Sequence, residues 1–165
     1  MSDQSEVDTL IQEMALELRD LLAQRDISNP LMIGIHTGGV WIAKKLYQLM
    51  GIQQELGTLD ISFYRDDFTR IGINPQVKPT NLPFSIDDQH IILVDDVLHT
   101  GRTIRAAMNE LFDYGRPASI SLAVLVERSG RELPIAASVV GKQLDLEAGE
   151  HVKLSGPEPL RLIIQ

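Results

Sequence analysis

Apolar residues recur at helical spacing at Val7, Leu10, Ile11, Met14, Leu18, Leu21 and Leu22, which predicts an amphipathic helix from about Ser5 to Gln24. Its apolar stripe suits a core or a subunit interface equally well. "ISNP" (Ile27 to Pro30) breaks the helix, and "LMIGI" (Leu31 to Ile35) is a short unbroken apolar run, the pattern of a buried strand. "HTGG" follows, then "VWIAKKLYQLM" with helical periodicity, stopping at Gly51. "LGTLDISFY" (Leu56 to Tyr64) reads as another strand. From Arg65 to Asp88 periodicity dissolves among Gly72, Asn74, Pro75, Pro79 and Pro83. A connection this long inside a compact domain is commonly a functional lid, so a mobile flap is expected over about 65–88.

Order returns with a strand at Ile91 to Val94 and a helix from about Thr103 to Tyr114, ended by Gly115 and Pro117. "ASISLAVLVE" (Ala118 to Glu127) has few polar breaks and reads as a central strand covered on both faces. Shorter strand-like pieces stand at Ala136 to Val140, His151 to Leu154 and Leu160 to Ile164. Alternating strands and helices predict an α/β fold with a largely parallel sheet flanked by helices. One domain over 1–165 is expected, with the flap and a small C-terminal hood at about 129–165. In such sheets ligands bind beyond the carboxyl ends of the strands, where "HTGG" and "DDVLHTGRT" both fall.

Composition narrows the class. Hydrophobic residues make up 44% and charged residues 23%, ordinary values for a globular protein. No apolar run is long enough to span a bilayer. "MSDQSEVDTL" has neither a basic region nor an apolar stretch, and there is no cysteine; a cytoplasmic protein is expected. Net charge of -8 gives no bulk attraction for nucleic acid.

The chemistry concentrates in "IILVDDVLHTGRT" (Ile91 to Thr103). The helix opening near Gly101 exposes backbone N–H groups and the positive end of its dipole. Gly101 permits close approach of a ligand, Thr100 and Thr103 add hydroxyls, and Arg102 adds charge: a phosphate cradle. Neither GxxxxGK[ST] nor GxGxxG is present. Asp95 and Asp96 would repel a phosphate unless they bind something else on the same ligand, either hydroxyl groups or a ligand-bound Mg²⁺. A ribose 5-phosphate satisfies both halves.

This segment resembles the PRPP-binding motif of type I phosphoribosyltransferases: four hydrophobic residues, two acidic residues, and a short loop ending in TGxT. "DISFYRDDF", "LFDYGRPASISLAV" and "VLVERSGRELPI" are similar to the PyrR family, and the similarity runs from about Met32 to Lys142. The resemblance implies the type I phosphoribosyltransferase fold in a cytoplasmic homodimer or higher homo-oligomer. It also implies a uracil phosphoribosyltransferase that makes UMP and pyrophosphate from uracil and PRPP, with regulation of pyrimidine genes through RNA in many members. Mg²⁺ arrives with PRPP, with Asp95 and Asp96 the protein groups nearest to it. By the same resemblance, Asp95 and Asp96 hold the ribose hydroxyls, and Val97, Leu98, His99, Thr100, Gly101, Arg102 and Thr103 surround the 5′-phosphate. Thr37, Gly38 and Arg65 meet the pyrophosphate in a loop that in this superfamily often carries a non-proline cis peptide. Arg128 and, through its backbone, Val152 meet the base. Arg65, with Tyr64 and the flap, closes over PRPP and serves catalysis beside the aspartates.

The chain departs from its relatives in places. They commonly carry a lysine and an arginine where His36 and Gly38 stand, so two positive groups are missing near the pyrophosphate. His99 occupies the position of an aspartate that moves a proton from the base in purine-specific relatives, where tyrosine is usual in the PyrR family. It reads as an acid–base group or as a packing group. RNA-binding relatives present a basic face, but the first helix here sets Glu6, Asp8, Glu13, Glu17 and Asp20 against Arg19 and Arg25. Lys44, Lys45 and Lys142 are the remaining basic candidates, and an RNA role is not expected. The alternatives are a purine phosphoribosyltransferase, or a nucleotide-sensing regulator with little catalysis.

Overall fold

A computed structural model describes residues 4–61 and 80–165. Helix α1 (Gln4–Gln24) carries Val7, Ile11, Met14 and Leu18 fully buried on one face. Their three- and four-residue spacing puts them in a single stripe. That stripe is core: it packs on Ile92, Ala123, Leu125 and Val139 of the sheet. Strand β1 (Leu31–Ile35) leads into α2 (Gly38–Met50), then β2 (Gly57–Leu59). Strand β3 (His90–Leu98) precedes α3 (Arg102–Tyr114), β4 (Ser119–Arg128) and β5 (Val139–Leu144). Strands β6 (Val152–Ser155) and β7 (Arg161–Ile164) complete the chain.

The main sheet has strand order β2-β1-β3-β4-β5, and every pairing in it is parallel. Period-two alternation divides its residues between two cores. Met32, Ile92 and Val94 face α1 and α2, while Ile33, Ile91 and Leu93 face Ile104, Ala107 and Leu111 of α3. Each fully buried Leu or Ile side chain stabilises the fold by roughly 1.5–3 kcal/mol. Antiparallel β6 and β7 form a separate small sheet, anchored to the α1–α2 side by Leu154 and Leu162.

Several boundaries differ from expectation. β3 does not end at Val94. It runs four residues further because its pairing with β4 continues through Asp95↔Val124, Val97↔Val126 and Leu98↔Glu127. Its pairing with β1 stops at Gly34↔Val94, so the carboxylates stand on a strand already free along one edge. Of the described part of the expected strand, residues 56–61, β2 covers Gly57–Leu59. β5 starts at Val139 rather than Ala136 and belongs to the main sheet, so the small C-terminal sheet is narrower than the expected hood. Residues 65–79 of the expected flap, about 65–88, lie outside the described residues. Its last part is packed: Ile86 is buried, Phe84 and Leu82 join the α3-side core, and Asn81 bridges Thr58.

Candidate functional site

Because the strands are parallel, their carboxyl ends share one edge of the sheet. Residues 36–38, 95–103 and 128 gather there from the ends of β1, β3 and β4. Leaving β1, the chain makes a cis His36–Thr37 peptide and enters α2 with Thr37 at the N-cap. Thr37 does not cap the helix with its side chain. The N–H groups of Thr37 and Gly38 find no acceptor among the described residues. They are free donors at the positive end of a 13-residue helix.

This loop touches the carboxylates. A Cβ at Gly38 would come 2.8 Å from Cγ of Asp96, and one at Gly39 would come 2.6 Å from the Val94 carbonyl oxygen. A side chain at Gly39 would push on the backbone of β3, and one at Gly38 would displace the Asp96 carboxyl group. "HTGG" is therefore small because it fits the notch left where β3 parts from β1.

Asp95 is buried, and its Oδ1 accepts the Asp96 N–H at 2.9 Å. Asp96 is half-buried, and its Oδ1 accepts the Val97 N–H at 2.8 Å. Each carboxylate is oriented by the next backbone amide. Past buried Leu98, the loop turns through Gly101 at φ 98, a left-handed conformation that glycine adopts without steric cost. Arg102 donates its N–H to Oγ1 of Thr100 at 3.2 Å, while the N–H groups of Thr100, Gly101 and Thr103 find no acceptor among the described residues. Three open donors at the mouth of α3 form an anion cradle a few residues from two carboxylates. The arrangement suits a ligand with an anionic end and neighbouring hydroxyls. Among the described residues no group of three or more His, Asp or Glu is placed to hold a metal ion. Two carboxylates with no third ligand fit a Mg²⁺ that comes with a phosphate substrate.

Arg128 is buried at the end of β4, where it donates to the Glu150 carbonyl at 2.9 Å and the Ser129 carbonyl at 3.3 Å. It is thus not a solvated strand-end charge, and it ties β4 to the segment leading into β6, where Val152 is half-buried. The His99 side chain is exposed, yet its imidazole is held below the ordinary histidine range. Partial burial is the main cause, followed by the positive charge of Arg128; Glu132 opposes it, and His151 and Arg131 add to it. An open cleft of about 540 Å³ lies along the ends of β4 and β5, beside Arg128, Gly130 and Arg131. Tyr64 and Arg65 lie outside the described residues.

Sequence reading gave the segment from Ser129 to Ile135 no role beyond a family likeness, yet it lies against the loop at Thr100 and Gly101. Glu132 and Leu133 donate their N–H groups to the Thr100 carbonyl at 2.9 and 3.0 Å, and Glu132 pairs with Arg102 at 3.1 Å. No periodicity or composition signal marks a loop whose partners stand some thirty residues away in the chain.

A parallel sheet with paired carboxylates and two loops of open backbone donors at one edge is the arrangement of a phosphoribosyltransferase. Residues 3–154 match the phosphoribosyl transferase domain family. The fold is also that of the hypoxanthine phosphoribosyltransferase of Trypanosoma cruzi in complex with the product IMP: TM-score 0.69 at 22% identity, over 90% of this chain and 80% of that one. Within that class, the chain belongs to the PyrR family. It is 59% identical over 161 residues to the Bifunctional protein PyrR of Nitrosococcus oceani, covering 96% of this chain and 91% of the relative. It is 60% identical over 153 residues to the Bifunctional protein PyrR of Pseudomonas paraeruginosa, covering 93% and 90%. No helix among the described residues is long and apolar enough to cross a membrane.

Proposed function

We infer that this chain is a uracil phosphoribosyltransferase of PyrR type, joining N1 of uracil to C1′ of PRPP and releasing pyrophosphate, with UMP as the product. The observation that carries the reading is the meeting of the carboxylate pair with two open backbone-donor loops at one sheet edge.

Roles follow from charge and position. The N–H groups of Thr100, Gly101 and Thr103, with the Thr hydroxyls, receive the 5′-phosphate, and residues Val97 to Leu98 carry the chain into that cradle. Asp95 and Asp96 hold the ribose hydroxyls and face the positive charge that builds on the sugar as the C1′–pyrophosphate bond breaks. The N–H groups of Thr37 and Gly38 receive the leaving pyrophosphate, and Arg65 closes over it. Bound with PRPP, Mg²⁺ supplies charge neutralisation on the leaving group. Arg128 and the Val152 backbone meet the base, and His99, uncharged near neutral pH, packs or accepts a proton at its edge. Catalysis here is chiefly positioning and electrostatic stabilisation.

Regulation through RNA is the weaker half of the family's repertoire for this chain. Two of the three candidate lysines are already paired with acids: Lys142 with Glu6 at 2.8 Å and Lys45 with Asp8 at 3.4 Å.

Incubating the protein with PRPP and Mg²⁺ and, separately, uracil, hypoxanthine, guanine and orotate tests the enzyme reading. UMP from uracil alone is expected. A purine nucleotide in place of UMP moves the chain to the purine enzymes, and no product from any base leaves a nucleotide-sensing regulator.

A further inference from the structure

We propose that Arg131 is a positioning residue that sets the shape of the phosphate cradle, a role that rests on the reading of residues 98–103 as that cradle. Its guanidinium reaches three separate places. One nitrogen donates to the His99 carbonyl, another donates to the Ile135 carbonyl at 2.9 Å, and the third pairs with Oε1 of Glu127. Glu127 is in turn held by Gln143 of β5 through its other oxygen at 3.3 Å. The side chains of Arg131 and Glu127 are 25% and 24% exposed, so the pair is largely withdrawn from solvent.

The geometry makes Arg131 a rivet between the sheet and the loop. Glu127 fixes the guanidinium to the end of β4, Ile135 fixes it to the far end of its own segment, and the remaining N–H grips the loop backbone. The loop's next carbonyl, on Thr100, is taken by the N–H groups of Glu132 and Leu133. Beyond that, Ile135 lies against Gly101, where a Cβ would come 3.1 Å from its Cγ1. The carbonyl side of residues 99–100 is thus occupied by the 130–135 segment, which leaves the opposite, N–H side for an anion. A peptide plane cannot present both groups in one direction, so holding the C=O aims the N–H. The charge of Arg131 is directed at Glu127, and its contribution to phosphate binding is geometric rather than a direct attraction. Lysine keeps the charge without the planar three-way fork.

The test compares wild type with Arg131→Lys and Arg131→Ala by calorimetric binding of ribose 5-phosphate and by initial rates against PRPP and uracil, with melting temperature as a check on folding. Calorimetry requires no turnover, so it reads the cradle whichever base is accepted. Ribose 5-phosphate affinity and the KM for PRPP are expected to worsen roughly ten- to a hundredfold, the scale of one charge-assisted hydrogen bond lost from a binding loop. The KM for uracil should change much less, and Arg131→Lys should fold as the wild type does without restoring the affinity. A general structural weakening would instead move all parameters together and be relieved by lysine. Wild-type affinity for ribose 5-phosphate in folded Arg131→Lys overturns the proposal while leaving the enzyme reading intact. Failure of the wild-type protein itself to bind ribose 5-phosphate overturns both.

Discussion

At the scale of single residues, the two aspartates are not equivalent. Asp95 is buried and serves as the acceptor for the Asp96 N–H, so its loss empties a buried position and leaves the half-buried Asp96 N–H without that acceptor. Asp95→Ala is expected to cost about 1–3 kcal/mol of stability, measured by urea unfolding. Asp96 stands nearer the surface and beside Gly38. Asp96→Asn keeps the shape and the acceptor oxygen, so stability should hold while kcat/KM for PRPP falls on the order of a hundredfold through lost charge at the sugar. His99 adds a pH dependence whose sign is fixed by the direction of its shift. Its folded pKa lies below the unfolded value near 6.5, so at high pH both states are neutral and it contributes nothing. As pH falls through about 6.5 the unfolded chain takes the proton first, and stability drops until the folded form is protonated too. Unfolding titrations of wild type and His99→Gln between pH 8 and 5 should diverge only below about 6.5, the wild type losing more; parallel curves would count against the shift.

At the scale of elements, the notch between β1 and β3 brings the loop at Thr37–Gly39 against the end of β3. Since a Cβ at Gly38 overlaps the Asp96 carboxyl group, Gly38→Ala must move either that carboxylate or the α2 entrance. Misplacing a reacting group by about 1 Å costs about a hundredfold, so the rate with PRPP should fall by that order while circular dichroism stays native. The elements themselves were largely legible. The stripe of α1, the apolar runs of β1 and β4, and the strand–loop–helix around "DDVLHTGRT" follow from periodicity and glycine placement alone. Where reading failed, the cause is tertiary. Two aspartates look like a strand's end, but pairing with β4 carries β3 through them to Leu98. Ala136 to Val140 looks like a strand, but the ladder with β4 begins only at Ala123↔Val139, with the Ser138 N–H donated to the Leu122 carbonyl at 2.8 Å just before it. The carboxylates, the loop of residues 98–103 and Arg128 were legible as neighbours at one sheet edge, whereas the contacts of Arg131 with that loop were not. Its three partners are brought together only by folding, and nothing in the local pattern marks it.

At the scale of the whole molecule, charge decides between the catalytic and regulatory halves of the family. The chain carries -8, and α1 is acidic along its exposed face. Lys142 is held by Glu6, and Lys45 sits between Asp8 at 3.4 Å and Glu158 at 3.8 Å. Lys44 is exposed and has no acid partner among the described residues. Of the three candidates, one lysine on α2 without an acid partner among the described residues, beside an acidic α1, supplies little of the backbone neutralisation that governs RNA affinity. Exposed ion pairs are weak, about 0–1 kcal/mol each, so they would not prevent an RNA from recruiting the lysines. They do mean that each lysine brings a carboxylate with it, which cancels the gain at the phosphate. A pyrimidine-operon leader RNA should therefore show no mobility shift with this protein even at low salt, with or without UMP. Detectable binding that weakens on the order of a thousandfold between 50 and 200 mM salt would require a basic surface assembled from several subunits. In that case Lys44→Glu, which places a like charge on the most accessible candidate, should abolish the binding and leave UMP synthesis unchanged.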